Sequence, residues 1–384
     1  MPSIIELEDA VKGLPEQERE LFDEIFDVST STGELVIPES CTDIAVRYFG
    51  KPGESPDAVI RKLQKQTMVR TYNKRTNEGA LFNAIRADRP GMRIDDIQGV
   101  RKKIDQHVEG ARKDCNFCHP ETETADDVFG RIENAHCITG ANVAKYDKWS
   151  GMIYSREHHP LEFDEGQVSD YVEAAFLWFL KVHERDPDAI FPFFMWNCLE
   201  KAGASRVHGH AQVLLARSRP YAKVLALRDN SQRYNASTGR DYFNDLPDIH
   251  GSLKLAVQNT QSGNAKVFVY ITPTKEKETL IVAPCTDPRD TDGRRDLRSS
   301  LYKTLACFRD RLGVHSFNVA ILMPPLEPQE GWGHFPYVAR VLDRGSIFKP
   351  TADVGTMELY GEPVIETDPH RVIEALVPYF GSGR

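Results

Sequence analysis

The sequence predicts an α+β fold in which two successive units, each with an antiparallel sheet and flanking helices, follow a helical N-terminal extension. Three observations predict it. Apolar segments with the length of strands surround one long amphipathic helix over residues 149–216. A related order of strands and one helix returns over residues 266–342, and apolar residues recur at near-helical spacing over residues 4–27. Separate runs of strands and helices of this kind are typical of α+β domains.

Residues 1–65 are predicted to form the helical extension. Pro15 is suited to the start of a second helix, because proline is favoured in the first turn. Residues 51–57, with the sequence KPGESPD, indicate a linker, since proline, glycine and serine cluster there. A further amphipathic helix is expected around residues 58–68.

The first unit is predicted over residues 66–245. Its expected elements are a strand, a helix and two buried strands, at residues 149–155, 168–185, 191–197 and 211–216. Residues 228–264 are rich in asparagine, serine, aspartate and glycine, and they indicate the joint between the two units.

The second unit is predicted over residues 246–384. Its expected elements are two strands, a helix and two more strands, at residues 266–272, 279–284, 295–312, 317–323 and 337–342. The shared order hints at duplication of one α+β unit.

Composition and charge exclude several classes of function. The 384 residues carry 57 acidic and 48 basic side chains, and a formal charge of −9 without a lysine or arginine block disfavours binding to nucleic acids or anionic membranes. No run of 18 apolar residues is present, so we expect no membrane span. The first residues show no secretory signal, and seven cysteines are an odd, sparse count for a disulfide scaffold. We therefore expect a cytoplasmic protein.

A CxxC pair stands at Cys115 and Cys118. Such a pair is found as half of a zinc site, as a redox pair or as two ordinary thiols. The order strand–CxxC–helix of thioredoxin-like proteins is missing here, which disfavours the redox interpretation.

The sequence HGHAQ runs into the apolar segment AQVLLA. If residues 208–216 form a strand, His208, His210 and Gln212 lie on one side of it, because successive side chains alternate. With Cys115, Cys118 and His158, His208 completes a Cys2His2 set, a composition typical of a structural zinc site. His159 is a rival to His158 as a ligand, and a strand edge with solvated histidines is the non-functional alternative.

His210 is then free to react. A neutral imidazole is a good nucleophile at phosphorus, and a covalent intermediate divides one difficult transfer into two easier ones. The small-residue loop AGAS, with Gly203 and Ser205, allows backbone N–H groups and a hydroxyl to approach a phosphate, although a plain turn is equally common. Arg86 and Arg89 offer planar donors for phosphate, or are solvated surface charges.

These residues resemble the galactose-1-phosphate uridylyltransferase family of the histidine-triad superfamily. The family signature Ser-x-x-His-x-His-x-Gln is similar to SRVHGHAQ at residues 205–212, and Asn197 stands eleven residues before the first histidine, as in the family. An early family segment is similar to residues 72–79 and 86–90, and the CxxC and the element before the signature are matched by Cys115 to Cys118 and by residues 156–158. The resemblance covers residues 70–220 well.

The resemblance implies two histidine-triad-like units in one chain and a ping-pong nucleotidyl transfer. His210 would attack the α-phosphorus of a nucleoside diphosphate sugar, with UDP-hexose as the expected donor, and a sugar 1-phosphate would then accept the nucleotide. Gln212 is typical of the transferases of the superfamily, whose hydrolases carry a third histidine at that position. Family members are often dimers, so a homodimer is among the expected states.

The resemblance also implies roles for individual residues. The catalytic residues would be His210 and Gln212, and the zinc ligands would be Cys115, Cys118, His158 and His208. The substrate-binding residues would be Arg86, Arg89, Asn142, Asn197, Gly203, Ser205, Lys349 and Glu358.

Departures from the family leave the substrate open. Val207 and Gly209 stand where the family has prolines, and the late loop around Lys349 and Glu358 matches only with an insertion. His334 stands alone, so we expect no second metal site. ADP-sugar phosphorylases and diadenosine polyphosphate phosphorylases share the His-x-His-x-Gln pattern but use inorganic phosphate as the acceptor. A non-catalytic nucleotide-binding zinc scaffold is a further alternative.

Overall fold

The computed structural model describes residues 3–88, 97–257, 263–287, 289–349, 352 and 354–381. The strands in these residues are β1 Phe26–Glu34, β2 Lys65–Asn73, β3 Glu78–Phe82, β4 Cys137–Ala141, β5 Ser150–Ser155, β6 Phe191–Cys198, β7 His210–Ala216, β8 Lys266–Val269, β9 Thr279–Ala283, β10 Phe317–Leu322, β11 Tyr337–Asp343 and β12 Val364–Ile365. The α-helices are α1 Leu7–Lys12, α2 Glu16–Ile25, α3 Thr42–Phe49, α4 Pro56–Gln64, α5 Ile97–Gly110, α6 Pro120–Glu123, α7 Glu165–Arg185, α8 Ala222–Thr238, α9 Tyr242–Ser252, α10 Thr291–Asp310, α11 Thr356–Leu359 and α12 Pro369–Phe380.

An eight-stranded antiparallel sheet forms the centre of the fold, with the order β4-β5-β7-β6-β10-β11-β9-β8. The predicted α+β class is confirmed. The order β4-β5-α7-β6-β7 in the first half returns as β8-β9-α10-β10-β11 in the second. The two halves meet where β6 pairs with β10, with Trp196 opposite Val319. The predicted units therefore share one continuous sheet, and the boundaries proposed between them stay predictions.

Two long helices cover one face of this sheet. α7 begins at its N-cap Asp164, whose carboxylate accepts a hydrogen bond from the backbone N–H of Gln167 at 2.8 Å. It packs on β4, β5 and β7, while α10 packs on β9 and β11, and the two helices pack on each other. Because both helices pack on the same face, every second side chain of β7 points to the opposite face of the sheet, which these two helices do not cover.

The N-terminal extension contains the expected helices, α1, α2 and α4, together with a helix and a strand that its sequence did not predict, α3 and β1. β1 pairs with β2 in a smaller sheet of order β1-β2-β3-β12. β1 is mostly exposed and polar, so it lacks the alternation of apolar residues by which strands are recognised. The helix expected over residues 58–68 ends at Gln64, because Lys65 begins β2.

The joint predicted at residues 228–264 holds most of α8 and all of α9, and residues 258–262 lie outside the described part of the chain. Among the residues that the structure describes, none of the helices combines the length and apolar character that crossing a membrane demands.

The contact between β5 and α7 gives a test of the core. A Cβ added at Gly151 would lie 2.7 Å from ring atoms of Trp178. The indole N–H of Trp178 donates to Asp127 at 2.7 Å, which holds the ring in place. We therefore expect Gly151→Ala to lower the free energy of unfolding by about 1–3 kcal/mol, the usual cost of overpacking. Urea unfolding followed by circular dichroism measures it.

The matched control is Gly110→Ala at the end of α5, where an added Cβ meets no atom within 4 Å. Equal unfolding midpoints for the two variants would contradict the close packing of Trp178 on β5.

Candidate functional site

The pairing of β5 with β7 creates the surface on which the candidate site is built. Tyr154 lies opposite His210 and Met152 lies opposite Gln212. These four side chains line one cavity, whereas the intervening residues of β7, such as Ala211, belong to the main hydrophobic core. The alternation expected for this strand is therefore present, with the strand beginning at His210 rather than at His208.

The cavity has a volume of about 630 Å³. Besides His210 and Gln212, it is lined by Asn142 and Ser205, two of the residues predicted to bind substrate. Asn142 directly follows β4, and Ser205 lies in the loop that leads from β6 to β7. One cavity thus brings together four residues that are spread over seventy positions of the sequence.

Cys115, Cys118, His158 and His208 form a cluster beside this cavity, with ligand atoms that all lie within 4.8 Å of one another. The Cys118 sulfur lies 3.2 Å from Nδ1 of His158 and 3.5 Å from Nδ1 of His208. The Cys115 sulfur lies 3.4 Å from Nδ1 of His208. The rival ligand His159 is held elsewhere, with its Nε2 at 3.1 Å from a carboxylate oxygen of Asp105.

The two histidines of the cluster are oriented by backbone carbonyls. Nε2 of His158 lies 3.0 Å from the carbonyl oxygen of Val108, and Nε2 of His208 lies 2.8 Å from that of Ser155. These nitrogens therefore carry the ring protons, and the lone pairs of both Nδ1 atoms face each other at 3.2 Å. Metal bonds of about 2.0–2.3 Å in a tetrahedral site give ligand separations of roughly 3.3–3.8 Å. The cluster can therefore hold a metal ion.

The charge properties of the donor atoms agree with this interpretation. Burial and the neighbouring Cys115 raise the pKa of Cys118 to about 11. Burial lowers the pKa of His208 to about 4, so this ring is neutral near pH 7. A divalent cation reverses the penalty on the thiolates and binds neutral imidazoles, so the set is suited to a cation.

His210 is held in one orientation and one tautomer. Its Nδ1–H donates to the carbonyl oxygen of His208 at 2.8 Å, which leaves the lone pair on Nε2. Burial lowers the pKa of His210 despite this hydrogen bond, so the ring is neutral near pH 7. The ring of Phe117, from the CxxC turn, lies edge-on to the imidazole with 5.4 Å between ring centroids. The site therefore presents a fixed, uncharged imidazole with the lone pair of its Nε2 free.

Gln212 brings a polar group to the same wall of the cavity. Its side chain is buried, and its Oε1 atom has no hydrogen-bond partner among the described residues. Buried polar atoms are nearly always paired, so this orphaned amide oxygen is an acceptor that a donor group of a ligand can satisfy.

The loop between β6 and β7 contains the predicted phosphate contacts. Gly203 has a φ of 92° and ends the 3₁₀ turn Glu200–Ala202, a left-handed conformation that favours glycine. The chain then passes through Ser205 and Arg206, which both line the cavity. Arg206 supplies a cation there that the sequence analysis did not single out.

Among the described residues, Arg86, Lys349 and Glu358 do not line this cavity. Arg86 lies in the turn Ala84–Asp88 and Arg89 lies outside the described residues. Glu358 pairs with Lys275 at 3.0 Å, and the carbonyl of Lys349 accepts a hydrogen bond from Lys201. Their roles stay predictions.

Asn197 lies on β6 on the same face as Gln212, because Met195 pairs with Gln212 and Asn197 is two residues further along. Phe117, Met152 and Tyr154 also belong to the site, although no motif pointed to them. The alternation of MIY within the predicted strand could have indicated Met152 and Tyr154, but only once its partner strand was known.

Comparisons with known proteins bear on the fold. No family model matches the sequence, and no curated protein matches it significantly. An ADP-glucose phosphorylase from Arabidopsis thaliana with bound ADP-glucose aligns with a TM-score of 0.62 at 17% identity, over 80% of this chain and 97% of that chain. The resemblance is confirmed for the fold.

Two further solved structures also share this fold. A galt-like protein from Arabidopsis thaliana aligns with a TM-score of 0.58 at 18% identity, over 69% of this chain and 92% of that chain. A uridylyltransferase aligns with a TM-score of 0.53 at 15% identity, over 67% of this chain and 88% of that chain. This chain therefore has the fold that the sequence resemblance implied, with its tandem α+β halves.

From the geometry of the cluster we expect Cys115, Cys118, His158 and His208 to hold a metal ion. Protein produced in metal-replete medium is expected to carry about one equivalent of a divalent transition metal, because two thiolates and two imidazoles complete a tetrahedral set. Cys118→Ser should lose the metal and lower the thermal midpoint, since metal binding contributes to folding. Elemental analysis of the purified protein measures the metal content.

His159→Ala is the matched control, because His159 adjoins a ligand but contacts Asp105 instead. Loss of metal from the His159 variant, with retention by a His158→Ala variant, would contradict the geometry of the cluster.

Proposed function

We propose that this protein is a nucleotidyltransferase that moves a nucleoside monophosphate from a nucleoside diphosphate sugar to a sugar 1-phosphate. UDP-hexose is the leading donor. The observation that carries the proposal is the hydrogen bond from Nδ1 of His210 to the carbonyl of His208, which directs the reactive lone pair of Nε2 away from the backbone in a cavity of about 630 Å³. The reaction then proceeds in two steps.

In the first step, Nε2 of His210 attacks the α-phosphorus of the donor, and a P–N bond forms. The bond from the α-phosphorus to the bridging oxygen breaks, and the sugar 1-phosphate leaves with the electron pair. The positive charge that develops on the imidazole is stabilised by the carbonyl of His208, which accepts the Nδ1–H. In the second step, a phosphate oxygen of the acceptor attacks the same phosphorus and releases neutral His210.

The neighbouring polar groups bind the phosphoryl oxygens in this proposal. Gln212 is buried beside His210 and donates from its amide without giving up a proton. Ser205 and the backbone N–H groups of the loop after Gly203 approach the phosphoryl oxygens from the N-terminal end of β7. Donors fixed before the reaction stabilise charge that develops in the transition state.

Zinc is the metal that we propose for the cluster, because Cys2His2 donors are typical of structural zinc sites. Cys115, Cys118, His158 and His208 would hold it. When bound, it supplies a structural crosslink between the CxxC turn, the loop after β5 and the segment before β7. His208 also provides the carbonyl that orients His210, so the crosslink fixes the nucleophile.

A phosphorylase that acts on an ADP-sugar with inorganic phosphate as the acceptor is the second candidate. The alignment with an ADP-glucose phosphorylase supports it, since its TM-score of 0.62 exceeds the 0.53 of the uridylyltransferase. Both candidates use the same nucleophile and differ in base and acceptor.

Intact-mass spectrometry at neutral or basic pH tests the proposal, because the phosphoramidate of histidine is labile in acid. Zinc-replete protein is mixed separately with UDP-glucose, ADP-glucose, a GDP-sugar and diadenosine tetraphosphate. We expect an adduct of the mass of UMP from UDP-glucose, with release of one equivalent of glucose 1-phosphate. An adduct of the mass of AMP would favour the phosphorylase instead.

The control is His210→Ala, which removes the nucleophile and should give no adduct. Absence of an adduct with every donor in zinc-replete wild-type protein would overturn the covalent mechanism and favour a nucleotide-binding zinc scaffold. Addition of sugar 1-phosphate or inorganic phosphate to the isolated adduct then identifies the acceptor.

Gln212→His provides a second prediction about the type of transfer. An imidazole at this position can relay protons to and from water, whereas an amide cannot, so the adduct should be lost to water faster. We expect the half-life of the adduct without an acceptor to fall about 10²-fold, the size of a typical general acid–base contribution. Gln212→Asn is the control, and an unchanged half-life in Gln212→His would contradict this role of the amide.

A further inference from the structure

We propose that Asn318 and Arg344, which belong to the second half of the chain, are positioning residues that turn the amide N–H₂ of Asn197 toward the phosphoryl group. The inference rests on the proposed function. By this inference, the second half of the chain acts on the site of the first half through Asn197.

The three side chains form a chain of contacts across the junction of the two halves. Asn197 on β6 pairs in register with Asn318 on β10. The amide nitrogen of Asn318 donates to Oδ1 of Asn197 at 2.6 Å and to the carbonyl oxygen of Ala202 at 2.9 Å. The guanidinium of Arg344, just after β11, donates to Oδ1 of Asn318.

The identity of each partner fixes the direction of these hydrogen bonds. A guanidinium only donates, so the Asn318 atom that faces Arg344 must be the amide oxygen. The nitrogen of Asn318 then faces the carbonyl of Ala202, which only accepts, and the atom of Asn197 in the same contact must be its oxygen. The N–H₂ group of Asn197 is therefore directed away from β10.

Asn197 lies where a donor is useful. It shares the sheet face of Gln212 and lies two residues beyond Met195, the residue opposite Gln212. A phosphate oxygen offers only lone pairs, so an amide serves it with the nitrogen and not with the oxygen. An amide free to rotate would present either atom, whereas Arg344 and Asn318 select the productive one.

The same network stabilises the backbone that leads into the phosphate loop. Leu199 has φ 65° and ψ 171°, a strained conformation that is rare for any residue other than glycine. The hydroxyl of Ser316 donates to the carbonyl of Cys198 at 2.9 Å, and Asn318 holds the carbonyl of Ala202. Contacts from Asn318 on β10 and from Ser316, which directly precedes β10, thus flank the strained residue on both sides.

The second half has no nucleophile of its own on the strand that corresponds to β7, since residues 337–343 read YVARVLD, without histidine. Its contribution to the site is the row of donors that runs from Arg344 through Asn318.

Asn318→Asp tests the inference with little change in size. The carboxylate accepts but does not donate, so the Asn197 amide should turn its nitrogen toward residue 318 and its oxygen toward the phosphate. We expect the rate constant of adduct formation at saturating donor to fall about 10²-fold, as for the loss of one fixed donor, with a smaller change in the donor concentration at half-saturation. Asn244→Asp, on the exposed side of α9, is the matched control.

Combination with Asn197→Ala separates positioning from general structural support. If Asn318 acts through Asn197, the double variant should react no more slowly than Asn197→Ala alone. Multiplied losses in the double variant would overturn the inference, as would an Asn318→Asp variant with the wild-type rate. If Asn318→Asp does not fold, Asn318→Leu, which leaves the oxygen of Asn197 without its donor, replaces it with the same readout.

The behaviour of the wild-type protein distinguishes failure of the proposed function from failure of this inference. Wild-type protein that forms no adduct with any donor overturns the proposed function and this inference together. Wild-type protein that forms the adduct, beside an unaffected Asn318→Asp variant, overturns this inference alone.

Discussion

The register between β5 and β7 is the constraint on which the site depends. It places Tyr154 opposite His210, and it brings the carbonyl of Ser155 to 2.8 Å from Nε2 of His208. A slip by one residue would turn His210 and Gln212 into the core beneath α7. The same slip would move His208 away from His158, so the Cys2His2 cluster and the placement of His210 in the cavity would be lost together. The core residues that alternate with them, such as Ala211, oppose this slip.

The Cys2His2 cluster and His210 are linked through His208 and through Phe117. His208 contributes its ring to the cluster and its carbonyl to the Nδ1–H of His210. Phe117, between the two cysteines, also packs against the ring of His210. A cation in the cluster would therefore reduce the motion of the His210 ring without contacting it. In the second half of the chain, β10 extends the sheet, and Asn318 on β10 donates a hydrogen bond to Asn197 on β6.

The sequence predicted the parts that depend on local patterns. The helix expected over residues 168–185 corresponds to α7, and the strands expected around it correspond to β5, β6 and β7, because apolar residues dominate their segments. β4 was not predicted. The four cluster residues were grouped by chemistry, and geometry then preferred His158 to His159. β1 was missed because its residues are polar, and Tyr154 and Asn318 were missed because their importance depends on strand partners far away in sequence. Registers of this kind arise from packing and are not visible in periodicity.

The proposed mechanism is tested most directly by locating the P–N bond between the nucleotide and a histidine of the chain. Trypsin cleaves after Arg206 and Arg217, so one peptide, VHGHAQVLLAR, carries both His208 and His210. Tandem mass spectrometry of this peptide, prepared at basic pH from protein treated with the donor that gives an adduct, distinguishes the two rings by the fragments between them. We expect the nucleotide on His210 alone, because His210 is the proposed nucleophile. A nucleotide on His208, or on a histidine of another peptide, would contradict it.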